Sequence, residues 1–125
     1  MARRDITGAV DFAYLETYAA GDYGLVEEVL AIFGEQSAMW SRLLDARGGA
    51  QGWRDAAHTL KGASLGIGAF ALADICDQAE RASQDGEIAR TVLLERMRTA
   101  LDAVSADIAA YMHERALQSL KTPQA

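Results

Sequence analysis

Apolar residues return at three- and four-residue steps along almost the whole chain, and nowhere do they alternate with polar ones over a strand's length. That pattern predicts helices throughout. The first starts at Asp11, a capping side chain, and turns Phe12, Leu15 and either Tyr18 or Ala19 inward before Gly21 ends it. Asp22 caps a longer second helix whose inner line is Val26, Val29, Phe33, Trp40 and Leu44, widened by Leu25, Leu30 and Leu43. Gln36 falls between Phe33 and Trp40, at the seam with a neighbour. Gly34 inside this helix costs about 1 kcal/mol relative to alanine, a cost that a close helix crossing would explain. The stretch Arg47-Gly48-Gly49-Ala50-Gln51-Gly52 is the clearest break. A third helix then runs to about Gly66 or Gly68, with Trp53, Ala56, Leu60, Ala63 and Ile67 on one side. A fourth carries Phe70, Leu72, Ile75, Cys76 and Ala79 and ends around Ser83-Gln84-Asp85-Gly86. The last holds Ile88, Val92, Leu93, Met97, Leu101, Val104, Ile108 and Met112 over about seven turns. Short connections between four long helices predict an all-α fold, an antiparallel four-helix bundle with a short additional N-terminal helix. On this division residues 1–10 form a flexible lead-in, 11–117 one helical bundle domain and 118–125 a frayed tail.

Composition narrows the function more than the fold. The 125 residues fit one domain, and 12 basic against 18 acidic residues give a formal charge of −6. No run of Lys and Arg follows a phosphate backbone, so nucleic acid is not an expected partner. The single cysteine, Cys76, allows neither an internal disulfide nor a multi-cysteine metal site, and a cytoplasmic location is the simplest expectation. There is no 18-residue apolar run and no signal-peptide core after Arg3-Arg4, so no membrane association or export is expected.

The candidate chemistry lies on the outer face of the third helix. His58 points away from the apolar line, with Arg54 one turn before it, Lys61 and Gly62 one turn after, and Leu65 two turns after. A neutral imidazole nitrogen is a nucleophile near physiological pH and can attack, hold and pass on a phosphoryl group. Lys61 can offset charge on phosphoryl oxygens, and Gly62 removes a side chain where another active site must approach. Gln36 can donate from a neighbouring helix without adding charge, Arg54 can attract an acidic partner, and Leu65 with Ala69 can give a docking surface a small apolar centre. Each has an ordinary reading beside this one: His58 an exposed histidine without a task, Lys61 a solvated charge, Gln36 a seam hydrogen bond, Gly62 a helix contact. Gly66-Ile67-Gly68 offers a bend or a close contact and does not match a nucleotide-binding loop. Zinc is not expected, since Cys76, His58 and His113 fall on three different helices. Neither Thr59 nor Ser64 is placed to serve as a hydrolase nucleophile with His58.

The run His58-Thr59-Leu60-Lys61-Gly62-Ala63-Ser64, followed by Gly68-Ala69 and the helix with Leu72 and Cys76, resembles a histidine-containing phosphotransfer (Hpt) domain. The resemblance extends upstream to Phe33-x-x-Gln36 and covers roughly residues 11 to 112. It implies that His58 is the phosphorylated histidine, that Lys61 helps accommodate phosphate, and that Gly62 leaves the site accessible. It also implies that Gln36 is the polar residue from the adjacent helix and that Gly68 serves a close turn or helix contact. The implied activity is that of a phosphocarrier without autonomous kinase activity. His58 would take phosphoryl from a receiver-domain aspartate and pass it to another, with receiver domains of hybrid histidine kinases and response regulators as partners. No cofactor is implied on this chain; Mg2+ is implied at the partner receiver's acidic site. Two alternatives are a noncatalytic helical adaptor and a degenerate Hpt-like regulator that docks without carrying phosphate.

Overall fold

The computed structural model describes residues 7–121, and over these the chain forms five α-helices and no strand: α1 (Phe12–Tyr18), α2 (Tyr23–Arg42), α3 (Ala50–Gly66), α4 (Phe70–Arg81) and α5 (Glu87–Lys121). Asp11 and Asp22 cap the first two, accepting from Tyr14 N at 3.0 Å and Leu25 N at 3.1 Å, and so pair amides that a helix start leaves without partners. Helices adjacent in sequence pack on one another from α2 to α5, and α5 closes back on α2, the arrangement of an up-and-down bundle. The short α1 packs on α2 and reaches α5 through Phe12, whose ring stacks on Tyr111 with centroids 4.3 Å apart.

Val26, Leu30 and Phe33 from α2, Trp53, Ala56, Ala57 and Leu60 from α3, Leu72, Cys76 and Ala79 from α4, and Leu94, Met97 and Val104 from α5 make the core. The most extensive contact is α3 on α4, where small side chains let the two backbones approach. Trp53 fixes this pair at one end: its indole, fully buried, donates to Ala79 O at 2.7 Å and satisfies a carbonyl of the last turn of α4.

Several positions differ from the sequence pattern. Of the two inward candidates in α1, Ala19 is buried and Tyr18 exposed. Leu25 and Leu43 of the α2 stripe face outward, as does Phe70 at the first turn of α4, because the line of contact with neighbouring helices is narrower than the apolar pattern. The close crossing that would have explained Gly34 is absent; a Cβ there would meet nothing within 4 Å. On α5, Ile88 and Val92 are exposed, and the inward line is Leu94, Met97, Leu101, Val104, Ile108 and Tyr111. That line continues one turn back to Arg90, a polar residue, which donates to Ala46 O at 3.0 Å and Ser83 O at 2.9 Å and ties two loops to the bundle.

The lead-in and tail also need correction. Asp107 is fully buried on α5, and its carboxylate accepts from Thr7 N and Oγ1, Gly8 N and Ala9 N at 2.7–3.1 Å. Residues 7–10 are therefore held rather than loose, since a buried carboxylate must be hydrogen-bonded. Of the tail assigned from 118, the residues up to Lys121 are helical, because α5 continues to that point. The rest of the lead-in and tail, 1–6 and 122–125, lies outside the described residues. No helix among the described residues is long and apolar enough to cross a membrane.

The α3–α4 connection turns on Gly68. Its φ is +81°, its carbonyl accepts from Asp11 N at 3.0 Å, and a Cβ would sit 2.9 Å from Asp11 O and 3.1 Å from the Tyr14 ring. Both the left-handed backbone and the contact require glycine. Gly68→Ala is expected to lower unfolding stability by about 2 kcal/mol or more, read from urea midpoints. Asp107→Ala is expected to cost about 2–3 kcal/mol by leaving the amides of residues 7–9 without an acceptor, with faster exchange of those amides as the local signature.

Candidate functional site

The turn at Gly68 and Ala69 sets the register in which α3 and α4 face each other. His58 meets Glu80, 22 residues on, and Lys61 meets Asp77, 16 residues on, both pairs being centred on Ala69. His58 Nδ1 lies 3.0 Å from Glu80 Oε2. Lys61 Nζ lies 2.9 Å from Glu80 Oε1 and 3.2 Å from Asp77 Oδ1. Arg81, one turn after Asp77, donates to Asp77 Oδ2 through Nε at 2.9 Å and through Nη2. One surface cluster thus joins an imidazole, two carboxylates and two cations.

Burial differs across the cluster. The His58 side chain is 65% exposed, while those of Glu80 and Lys61 are 22% and 24% exposed. The imidazole stands out from a shielded base. The Lys61 ammonium, and after it the His58 ring, hold the Glu80 carboxyl below its usual range against the opposing effect of burial. The Arg81 guanidinium, followed by Lys61, does the same for Asp77, and Glu80 with Asp77 raises Lys61. Glu80 is accordingly an ionised carboxylate at neutral pH, able only to accept. Nδ1 of His58 must therefore be the protonated nitrogen of the neutral ring, leaving the Nε2 lone pair as the nucleophile.

The other candidates are arranged around this centre unevenly. Gly62 is exposed, and a Cβ there would meet nothing within 4 Å. Neither packing nor backbone conformation accounts for a glycine at this point. Leu65 is half exposed and lines an open groove of about 240 Å³ with Lys61, Phe70 and Asp77. Arg54 is exposed and donates to Gln51 Oε1, one turn earlier on its own helix. Gln36 is exposed on α2, and its amide makes no hydrogen bond among the described residues. Ala69 is fully buried and cannot serve as a docking residue; its place beside the Gly68 turn puts it into the core. Phe70, at the next position, is the exposed apolar residue there.

Sequence reading missed Glu80 and Asp77. They are three apart on α4, on one face, and Asp77 is four before Arg81. Folding α4 back on α3 about Gly68 would have placed both carboxylates against His58 and Lys61; acidic residues on an amphipathic helix, taken alone, read as a solvated face. Cys76, immediately before Asp77 in sequence, offers no rival nucleophile, since burial pushes its thiol up to about 12. No group of residues suited to a metal ion occurs among the described residues.

The family model of the Hpt domain matches residues 26–107. The chain is similar to a crystal structure of histidine phosphotransferase ShpA from Caulobacter crescentus at 1.52 Å resolution. Identity is 55%, the match covers 90% of this chain and 99% of that one, and the TM-score is 0.74. No curated protein matches.

Two measurements test the cluster. In ¹⁵N spectra of the imidazole, the native protein is expected to show protonated Nδ1 and unprotonated Nε2, and Glu80→Ala is expected to shift the population toward the Nε2–H tautomer; an unchanged ring in the variant counts against the assignment. Because the Glu80 and Asp77 pKa values are depressed, their contribution to stability is present above the ordinary carboxylate values and is lost as pH falls through the lowered ones. Lys61→Met removes the largest cause of the Glu80 depression, so its acid unfolding is expected at higher pH than in the native chain, read by circular dichroism.

Proposed function

This chain belongs to the Hpt domain family, whose members act in phosphorelays, and on that premise we propose that it takes a phosphoryl group on His58 from a receiver-domain aspartate and passes it to another receiver-domain aspartate. The observation that carries this reading is the His58–Glu80 bond, which engages Nδ1 and leaves Nε2 on the open side of the helix pair.

In the forward step the Nε2 lone pair attacks phosphorus in line, an N–P bond forms, and the bond from phosphorus to the donor carboxylate oxygen breaks with its electron pair leaving on that carboxylate. No proton needs to move. The ring becomes positively charged, and the Glu80 carboxylate already at Nδ1 stabilises that charge without reorganising. The return step reverses these changes with the acceptor aspartate as nucleophile. Lys61, one turn away, can turn part of its charge toward the phosphoryl oxygens, and Gln36 orients them from α2 once a partner closes over the site. Gly62 admits the partner's loops, while Leu65, Phe70 and Arg54 provide the docking margin. Mg2+ belongs to the acidic site of the partner receiver, where it stabilises the transferring group. A cytoplasmic setting suits such partners.

Incubation with a phosphorylated receiver, followed by site mapping at neutral to alkaline pH, is expected to place acid-labile phosphate on His58 alone. His58→Ala is expected to abolish the label while changing stability by less than about 0.5 kcal/mol, because the ring is exposed. Label at another residue refutes the assignment to His58, and partner binding without any label refutes the carrier role and selects an adaptor. Gly62→Leu is expected to fold, with stability equal or higher by up to about 1 kcal/mol, yet to transfer roughly 100-fold more slowly. Unimpaired transfer in that variant removes the access role of Gly62.

A further inference from the structure

Five of the eight arginines among the described residues have engaged guanidiniums. Arg54 donates to Gln51, Arg81 to Asp77, Arg90 to backbone carbonyls, Arg96 to Gln78, and Arg115 to Gln118 while also covering the Tyr23 ring. Among the described residues three have no hydrogen bond or ion pair through the guanidinium: Arg42 at the end of α2, Arg47 in the following loop, and Arg98 on α5. All three line one groove of about 570 Å³, at the end of the bundle where α2 finishes and α5 begins. None of its lining residues belongs to the His58 cluster.

The two carboxylates in the same lining, Asp45 and Glu87, make no ion pair with them and leave the lining one positive charge in excess. Asp45 is turned to its own loop, where Oδ1 accepts from Arg47 N at 3.0 Å. Glu87 stands in the first turn of α5, where a negative charge complements the helix. In a chain of formal charge −6, three arginines without an ion pair on one groove are a local exception. Arg90 holds the loops behind the groove through Ala46 O and Ser83 O, so the wall that carries Arg47 is fixed in advance. Leu44 and Leu94 give the groove an apolar floor.

We propose that this groove binds a small phosphomonoester, the guanidiniums taking the phosphate and the apolar floor taking its organic part. The planar forks of arginine match phosphate oxygens in pairs, and a dianion answers an excess of cations over carboxylates. The volume lies within the range of small-molecule sites.

The test is a ¹⁵N–¹H titration of the full chain with phenyl phosphate at constant ionic strength, with inorganic phosphate and benzoate as separate arms. Saturable shifts are expected at the amides of Arg47, Thr91 and Arg98, with a midpoint at about millimolar concentration. Inorganic phosphate is expected to reach the same amides more weakly. Arg98→Gln and Arg42→Gln, both exposed and with no hydrogen bond or ion pair to lose, are each expected to weaken binding about tenfold, whereas Arg96→Gln on the same helix as Arg98 leaves it unchanged. Shifts that do not saturate, that benzoate reproduces, or that persist in both variants overturn the proposal. His58→Ala is expected to bind phenyl phosphate normally, so the outcome is independent of phosphotransfer.

Discussion

The site depends on one constraint, the antiparallel register of α3 and α4 fixed at Gly68. With φ at +81° and the Asp11 backbone against its Cα, that residue admits no side chain, and the hydrogen bond from Asp11 N to its carbonyl clamps the turn from outside. At the other end the buried Trp53 indole ties α3 to Ala79. Between these two fixed points the helices cannot slide. A shift of one residue on α4 would rotate Glu80 by about 100° away from the imidazole. The His58–Glu80 and Lys61–Asp77 pairs are thus consequences of a backbone restriction ten or so residues away, and α1 belongs to the site because it supplies the clamp.

The ionic contacts of the cluster do more to position side chains than to stabilise the fold. Pairs at a water-facing surface contribute little individually to folding, and their attraction is screened by salt. What they do here is limit freedom. The Glu80 carboxylate lies between the ring and the Lys61 ammonium, one oxygen toward each. Asp77 is spanned in the same way by Lys61 and Arg81. Each side chain is held by the next, and the imidazole at the end of the row inherits a fixed tautomer from a carboxylate whose charge Lys61 secures.

The helices and much of the core were legible because they rest on local rules. Asp11 and Asp22 are caps that act within three residues, and Trp53, Ala56, Leu60 and Ile67 lie on one line in any α-helix. Outward presentation of His58 follows from the same periodicity. Illegible features all required partners distant in sequence. Asp107 reads as a solvated acid until residues 7–9 come across to it, and Arg90 breaks the apolar line of α5 because its partners are carbonyls of two loops. Ala69 was misplaced because a small apolar residue after a glycine turn fits a surface or a core equally well in sequence. Glu80 and Asp77 needed the α3–α4 register, which local pattern does not contain.

On the phosphocarrier reading, the charge balance of the cluster bears on why a carrier rather than a sink is built this way. With a neutral imidazole, Glu80 and Asp77 are matched by Lys61 and Arg81, and the cluster has no surplus cation waiting for phosphate. A phosphoryl group on Nε2 adds negative charge beside two carboxylates, while the ring gains one positive charge that Glu80 already faces. Lys61 can turn toward the phosphoryl oxygens only by loosening its hold on Glu80 or Asp77. The phosphorylated state is therefore tolerated but not deeply stabilised. Such a balance favours transfer in either direction, with the outcome set by the receiver that docks. The exposed ring and the open space at Gly62 are consistent with that division of labour, in which this chain presents the nucleophile and the partner supplies the cation and closes out water.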